Sequence, residues 1–234
     1  MNVAENKARA SNGCITDLLP KPLSSTIWLS MKEMTKYDAI QTILERNGGY
    51  VTRDDINKND IPSAMLYEFV NKHGLIKHAT GFYAKADWIK DDYLVFQYLY
   101  PKLIYSFYGA QYLNELGDFL PPFLEVTAPK NYRPFPLPRE GVVLHTDTKD
   151  STYFLGITEV ETMFGNKVRV YDKEKTVCDF IKNRSKIDSE SFIKCLHYYK
   201  RRRDKNISRL MEYARIMKIE KEVFSLMEVI LNKD

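Results

Sequence analysis

The chain has 234 residues, of which 44% are hydrophobic and 28% are charged, and its formal net charge is +4. These proportions are typical of a soluble globular protein with one large domain or two small ones. The most aromatic stretch, residues 93–113, is interrupted by glutamine, proline and lysine. No run approaches the roughly 18 apolar residues that a membrane-spanning helix needs, so a membrane protein is excluded from the expected classes.

The three cysteines, Cys14, Cys178 and Cys195, form no CxxC pair and cannot all be joined in disulfides. This usage favours a reduced, intracellular setting. The four histidines are scattered, at positions 73, 78, 145 and 197, without the spacing of metal ligands. The sequence therefore predicts no metal site, and it contains no cofactor motif.

Residues 1–33 precede the first helical pattern and include the stretch LLPKPLSST. They lack the continuous apolar segment of a secretory signal, so we interpret them as an N-terminal extension. Met31 and Met34 stand immediately before the helical pattern. A native start there, preceded by a leader that is either artificial or encoded upstream, is an open alternative.

Residues 34–88 are predicted to form a small N-terminal domain that begins with two short helices. Tyr37, Ile40, Ile43 and Leu44 have the spacing of one apolar helix face, and the Asn-Gly-Gly sequence at 47–49 is a typical helix stop. Thr52 and Asp55, three residues apart, resemble a capping box, which satisfies exposed backbone N–H groups at a helix start. A short second helix carrying Ile56 is therefore expected.

A third helix and a hairpin complete this domain. Pro62 suits a first helical turn, where its missing N–H costs nothing, and Gly74 is a helix stop because glycine adopts the left-handed conformation without strain. The stretch HGLIKHATGFYAK, residues 73–85, then has two short apolar pairs around Ala79-Thr80-Gly81, which predicts a hairpin. Three helices followed by a hairpin are typical of a winged helix-turn-helix.

In this interpretation the third helix reads DNA. Its apolar residues turn inward, so the remaining side chains face outward, where they can meet base edges and phosphates in a major groove. The hairpin would lie beside the backbone or a minor groove, and the second helix would anchor phosphates. The candidate DNA-binding residues are Arg53, Lys58, Ser63, Tyr67, Asn71, Lys72, Lys77, His78 and Thr80.

The charge of this domain leaves a second interpretation open. Residues 34–90 carry eight Lys or Arg against seven Asp or Glu, a net charge of only +1, which is weak for a DNA-binding domain. Winged helices also serve as protein–protein modules. We favour DNA binding because asymmetric placement can create a basic face on a near-neutral domain.

A larger C-terminal domain is predicted over residues 89–234. A helix at 91–100 is followed by a short strand and a helix in YPKLIYSFYGAQYLNELG, whose crowded tyrosines we assign to the core rather than to stacking on bases. Residues 129–140 contain four prolines and read as a stiff exposed loop. Strands are expected at VVLHT, GITEVETM and VRVY, the last two around a turn at 165–166.

The stretch YDKEKTVCDFI, residues 171–181, predicts a strand leading into a helix. Asp172 and Asp179 could form a carboxylate pair for metal or acid–base chemistry. We favour a structural role, because an aspartate near a helix start opposes the helix dipole. Glu174 and Lys175 are expected to be ordinary surface residues.

The last third of the chain shows three helical apolar stripes, which predict a terminal helical bundle. Residues 183–221 carry twelve Lys or Arg against five Asp or Glu, so the positive charge of the chain is concentrated here and indicates a surface for phosphates. The residues of this basic patch are Lys200, Arg201, Arg202, Arg203, Lys205 and Arg209. The expected fold class is α+β: a winged helix-turn-helix, then a mixed α/β domain ending in the bundle.

Four segments in a fixed order carry a family resemblance. They are ILERNGGYVTRDDINKNDIPSAMLYEFVNKHGLIKHATGFYA (43–84), YPKLIYSFYGAQYLNEL, VTAPKNYR, and VRVYDKEKTVCDFIK before the helical tail. In this order they resemble the AbiEi-type antitoxins of the abortive-infection E systems. The resemblance covers most of the chain from about residue 34 onward, whereas residues 1–30 depart from the family pattern.

The resemblance implies a cytoplasmic bacterial antitoxin of a type IV toxin–antitoxin pair, acting in phage defence by abortive infection. Its winged helix-turn-helix would repress its own operon by binding inverted repeats in the promoter, as a monomer in solution or a dimer formed on DNA. The C-terminal domain would oppose a nucleotidyltransferase-like toxin without a stable complex. Carried onto this chain, the base readers are Ser63, Tyr67 and Lys72, and the backbone contacts are Arg53, Lys77 and Thr80.

Two alternatives stay open. The first is an enzyme acting on the toxin or its target, although the sequence lacks a glycine-rich phosphate loop, a Gly-Ser with paired carboxylates and a nucleophile with an obvious base. We therefore expect no catalytic residues. The second is an RNA-binding protein that uses the basic patch and the tyrosines.

Overall fold

The computed structural model describes residues 35–138, 140–147 and 149–226; the predicted N-terminal extension lies outside these ranges. Within them the chain forms ten α-helices and eight β-strands, which confirms the α+β fold class. Two compact units divide between His73 and Gly74. The boundary that we predicted after residue 88 stays a prediction. No helix in the described part of the chain has the length and apolar character needed to cross a membrane.

The first unit begins with a helix whose start is set by local hydrogen bonds. Thr35 Oγ1 accepts a hydrogen bond from the backbone N–H of Asp38, and the Asp38 carboxylate accepts one from the Thr35 N–H. Helix α1 (Lys36–Arg46) follows and ends at Asn47, as its Asn-Gly-Gly sequence predicts. Its buried face consists of Ala39, Ile40, Ile43 and Leu44.

A second capping box starts the next helix. Strand β1 (Tyr50–Thr52), which we did not predict, leads directly into helix α2 (Arg53–Lys58). Thr52 Oγ1 accepts a hydrogen bond from the Asp55 N–H at 3.1 Å, and the Asp55 carboxylate accepts one from the Thr52 N–H at 3.0 Å. The predicted capping box is therefore confirmed, and Ile56 is buried as expected.

Helix α3 (Ser63–His73) begins directly after Pro62 and buries the side chains of Leu66, Phe69 and Val70. Gly74 follows with a φ of +62°, so the predicted left-handed helix stop is confirmed. The expected order of three helices in the first unit is present along the chain.

The second unit opens with the predicted hairpin. Strands β2 (Ile76–Ala79) and β3 (Phe82–Ala84) pair antiparallel, with Lys77 opposite Tyr83. Gly81 lies in the turn with a φ of +80°, a conformation that glycine adopts without a steric penalty. With the preceding helices, the chain has the element order of a winged helix-turn-helix.

A five-stranded mixed sheet organises the rest of the second unit. Its strand order is β6-β5-β4-β8-β7, in which β4–β5 and β7–β8 are antiparallel and β4–β8 and β5–β6 are parallel. The strands are β4 (Ile104–Tyr105), β5 (Leu124–Ala128), β6 (Val142–Thr146), β7 (Ile157–Glu161) and β8 (Lys167–Tyr171). All except β5 match the expected strands, and the prolines before β6 lie in a connecting segment, whose Arg139 is outside the described residues.

Two helices pack beside this sheet and bury the crowded aromatic residues. They are α4 (Asp92–Leu99) and α5 (Phe107–Leu113), and both were predicted. Phe96, Tyr100 and Tyr105 belong to one buried cluster with residues of β5 and β8, so their assignment to the core is confirmed. A short helix, α6 (Asp150–Tyr153), was not predicted.

Helix α7 is the centre of the predicted C-terminal bundle. Its Val177, Cys178 and Phe180 are completely buried in one cluster with residues of the following helices. These elements are α7 (Lys173–Lys182), a 3-10 turn (Arg184–Lys186), α8 (Ser189–Arg201), α9 (Ile207–Met217) and α10 (Glu220–Ser225). The last helical stripe predicted from the sequence includes Met227 and Ile230, which lie outside the described residues, as does Cys14. Cys178 and Cys195 are free and buried.

Candidate functional site

Helix α3 presents a continuous polar face opposite its buried stripe. Ser63, Tyr67 and Asn71 are each four residues apart, so they follow one line along the helix. Glu68 and Lys72 form a parallel line one position further on. All five side chains are exposed, as the sequence predicts for a DNA-reading helix.

Arg53 connects helix α2 to this face. Its Nη2 donates a hydrogen bond to the Tyr67 hydroxyl oxygen at 2.5 Å, although the two residues are fourteen positions apart. Arg53 was predicted as a phosphate contact; in the structure its guanidinium orients Tyr67, a residue that is 44% exposed. The Arg53 Nε is buried and has no hydrogen-bond partner among the described residues.

Lys72 is held over an aromatic ring. Its Nζ lies 4.9 Å from the ring centroid of Tyr37, a cation–π contact, and the Tyr37 ring packs 5.0 Å from that of Phe69. Lys58, at the end of α2, is exposed. The candidate residues of the first unit therefore all reach solvent, and three of them, Arg53, Tyr67 and Lys72, have defined side-chain contacts.

The hairpin of the second unit contains the other three candidates. Lys77 and Thr80 are exposed, as predicted for a wing. His78 is half-buried instead: its ring packs edge-on against Trp88 at 5.1 Å, and its Nε2 is buried without a hydrogen-bond partner in the described residues. Packing in the second unit, which local sequence does not reveal, is the reason for this difference.

The basic patch is partly neutralised by neighbouring groups. Arg202 forms ion pairs with Glu115 at 2.8 Å and with Asp204 at 3.0 Å. Lys205 Nζ donates to the backbone carbonyls of residues 200 and 202, and Arg209 lies 3.7 Å from the Asp172 carboxylate. Arg201 and Arg203 are exposed and Lys200 is half-buried. The basic patch therefore has fewer positive charges available for a phosphate ligand than the sequence indicated.

Helix α7 contains a buried ion pair. Lys175 Nζ lies 2.7 Å and 2.8 Å from the two carboxylate oxygens of Asp179, and 4.3 Å from the ring centroid of Tyr171. Burial raises the pKa of Asp179, and the Lys175 ammonium opposes that rise. The expectation that Lys175 is a surface residue is wrong: only 3% of it is exposed. Its partner is one turn along the helix, a spacing that sequence reasoning could have examined.

The expectation that Glu174 is a surface residue is also wrong. It is 2% exposed, and its Oε1 accepts hydrogen bonds from the Tyr199 hydroxyl at 3.1 Å and from the Asn206 N–H at 2.9 Å. The carboxylate therefore joins the end of α8 and the start of α9 to α7. These partners lie 25 and 32 positions away, so no local pattern signals them.

Asp172 has the structural role that the sequence favoured. It is the N-cap of α7, where it accepts a hydrogen bond from the Lys175 N–H at 2.8 Å, and it accepts another from the Tyr213 hydroxyl at 3.1 Å. Burial raises its pKa. Both candidate carboxylates therefore have defined protein partners. Among the described residues, no cluster of three or more His, Cys, Asp or Glu is arranged to hold a metal ion.

Comparisons with known proteins find a distant likeness among solved structures. No protein-family model matches the chain, and no curated protein matches it significantly. Among solved structures, the chain is similar to the RV2827C protein from Mycobacterium tuberculosis. The two are 11% identical, the match covers 86% of this chain and 84% of that one, and the TM-score is 0.49.

Proposed function

We propose that this protein is an AbiEi-type antitoxin of a type IV toxin–antitoxin system, acting in phage defence in the bacterial cytoplasm. It represses its own operon by binding inverted repeats in the promoter. It also opposes a nucleotidyltransferase-like toxin without forming a stable complex. The resemblance of the four ordered segments supports this assignment, and the polar face of α3 is the observation that carries its DNA-binding part.

The face of α3 has the chemistry of a major-groove reader. Hydroxyl and amide groups at Ser63, Tyr67 and Asn71 can donate to and accept from base edges, and the line they form follows the helix axis. The hydrogen bond from Arg53 limits the rotamers of the Tyr67 side chain. This restriction reduces the conformational entropy that the side chain loses when the protein binds DNA. The exposed side chains of Lys72 and Lys58 supply charge for phosphates.

The test is a gel-shift and footprint titration on the DNA immediately upstream of the gene, at two salt concentrations and with unrelated duplex as competitor. We expect protected repeats that survive the competitor. Asn71→Ala is expected to weaken specific binding by about 1–3 kcal/mol if Asn71 pairs with a base edge. Lys36→Ala, which removes an exposed charge from α1, is the matched control.

Two outcomes would contradict this proposal. Diffuse DNA binding that disappears at the higher salt concentration would indicate a general affinity for phosphates and no specific recognition of an operator. Equal operator affinity of the Asn71→Ala, Lys72→Ala and wild-type proteins, all folded by circular dichroism, would remove α3 as the reading helix.

A further inference from the structure

A cavity of about 630 Å³ lies entirely within the second unit. It is bordered by the first turns of α4, the segment before β5, the start of β6 and the turn that follows β7. This volume is typical of sites for small molecules. Five aromatic side chains line it: Tyr93, Phe96, Tyr112, Phe123 and Phe164.

Apolar groups at this cavity remain in contact with solvent. Met163 is 75% exposed, Leu120 is 57% exposed and Phe164 is 41% exposed, although all three line the cavity. Burying these side chains against an apolar body would be favourable, because each removes apolar surface from water. The ligand that suits this lining therefore has a substantial hydrocarbon part.

A buried carboxylate gives the cavity a negative charge. Asp91 lines it and is completely buried, and its carboxylate accepts hydrogen bonds from the Thr162 hydroxyl at 2.5 Å, the Asn166 amide at 2.9 Å and the Leu94 N–H at 3.2 Å. All three donors are neutral groups. Among the described residues no lysine or arginine forms an ion pair with Asp91, which is unusual because buried charges are normally paired.

The other charged side chains of the lining do not offset the charge of Asp91. Asp92 is paired with Lys90, and Glu140 is exposed at the start of β6. The lining therefore contains three carboxylates, of Asp91, Asp92 and Glu140, and one ammonium group, of Lys90. Asp91 caps α4, whose N-terminus contributes only about half a positive charge, so an excess of negative charge remains.

Aromatic rings and an unpaired buried carboxylate attract the same kind of ligand. The face of each ring carries negative potential, and a cation close to it gains more when water is excluded. An anion would meet the field of Asp91 and of the ring faces. We propose that this cavity binds a small organic cation with an apolar body, of the quaternary ammonium class.

The experiment compares two probes of the same shape on the full-length protein. Choline carries the quaternary ammonium charge, and 3,3-dimethylbutan-1-ol is its neutral carbon analogue. Titrations followed by calorimetry and by ligand-observed NMR are expected to give binding of choline that is about tenfold tighter than that of the alcohol. Failure of choline to bind, or equal affinity for the two probes, would overturn the proposal.

Two single variants test whether choline binds in the cavity beside Asp91. Asp91→Asn keeps a side chain that can cap the helix and is expected to reduce the preference for choline to near unity. Asp87→Asn, which removes an exposed carboxylate outside the lining, is the matched control and should bind as the wild type does. An Asp91→Asn protein that folds and still prefers choline tenfold would contradict the assignment.

A second variant covers the case in which Asp91→Asn does not fold. Phe164→Leu keeps an apolar side chain at an exposed position and removes only the ring. We expect it to weaken choline binding severalfold while the affinity for the neutral alcohol stays the same. Equal losses for both probes would indicate simple apolar packing and would refute cation recognition. The proposal does not depend on DNA binding, so the gel-shift result leaves it unaffected.

Discussion

At the scale of single residues, the carboxylates at the start of α7 and within it have structural partners. Asp172 caps α7, Glu174 joins two helix ends and Asp179 pairs with Lys175. Each has partners that satisfy its oxygens, and burial makes those partners necessary because an unpaired buried charge is costly. A hydrolytic or nucleotide-transfer role for these groups would first require breaking contacts that hold the bundle together.

The buried ion pair gives a prediction about stability. Lys175→Met is expected to destabilise the protein by about 3–5 kcal/mol, because it leaves the Asp179 carboxylate buried without its cation. The double variant Lys175→Met/Asp179→Leu is expected to recover most of this loss, since both charges are then gone. Urea unfolding followed by circular dichroism measures both effects. A single variant as stable as the wild type would show that Asp179 finds another partner or is protonated without cost.

At the scale of elements, close packing of helix on sheet positions the core of the second unit. Helix α5 begins with Phe107 at a φ of +46°, and the backbone N–H of Tyr108 donates to the Glu125 carboxylate at 2.9 Å. A Cβ on Gly109 would lie 2.9 Å from the backbone oxygen of Glu125. This distance is too short, so the helix approaches β5 closely only because residue 109 has no side chain.

Gly109→Ala tests that close approach. We expect a loss of about 1–3 kcal/mol in unfolding free energy, despite the better helix propensity of alanine, because α5 must move away from β5 or strain its backbone. Thermal or urea unfolding measures the change. A stabilised variant would mean that the helix and the strand separate easily, and would contradict the packing described.

The helices and strands also show which elements can be predicted from local sequence patterns and which cannot. The helices with regular apolar stripes, the capping box at Thr52 and the hairpin were all predicted, since each depends on residues within about four positions of one another. Strand β5 was missed because Leu124–Ala128 alternates weakly and follows two prolines. What makes it a strand is pairing with β4 and β6, whose residues are distant in sequence.

At the scale of the whole molecule, the positive charge of the chain is concentrated in the C-terminal bundle. The bundle has the larger positive excess, yet ion pairs of Arg202 and Arg209 direct part of it toward the protein itself. Arg201 and Arg203 are exposed and remain available for phosphates. The overall count of basic residues therefore overstates the affinity that this surface can supply.

The patch gives a prediction about salt dependence. Arg201→Ser/Arg203→Ser is expected to lower the slope of log affinity against log salt by about two if both side chains contact phosphates, without changing which DNA sequence is preferred. Gel shifts at several salt concentrations measure the slope. Arg202→Ser, which breaks the pairs with Glu115 and Asp204, is expected to alter stability more than the slope. An unchanged slope in the double variant would exclude the patch from the DNA contact.

By itself, the sequence of this protein determined most of its helices, the hairpin, the polar face of α3 and the concentration of positive charge near the C-terminus. These follow from periodicity, capping and composition, which are properties of neighbouring residues. Only the tertiary structure decided that Glu174 and Lys175 are buried, that Arg53 holds Tyr67, and that the buried Asp91 carboxylate accepts a hydrogen bond from Thr162. The physical reason is that burial and pairing depend on groups brought together from distant parts of the chain, such as Asp91 and Thr162, 71 positions apart.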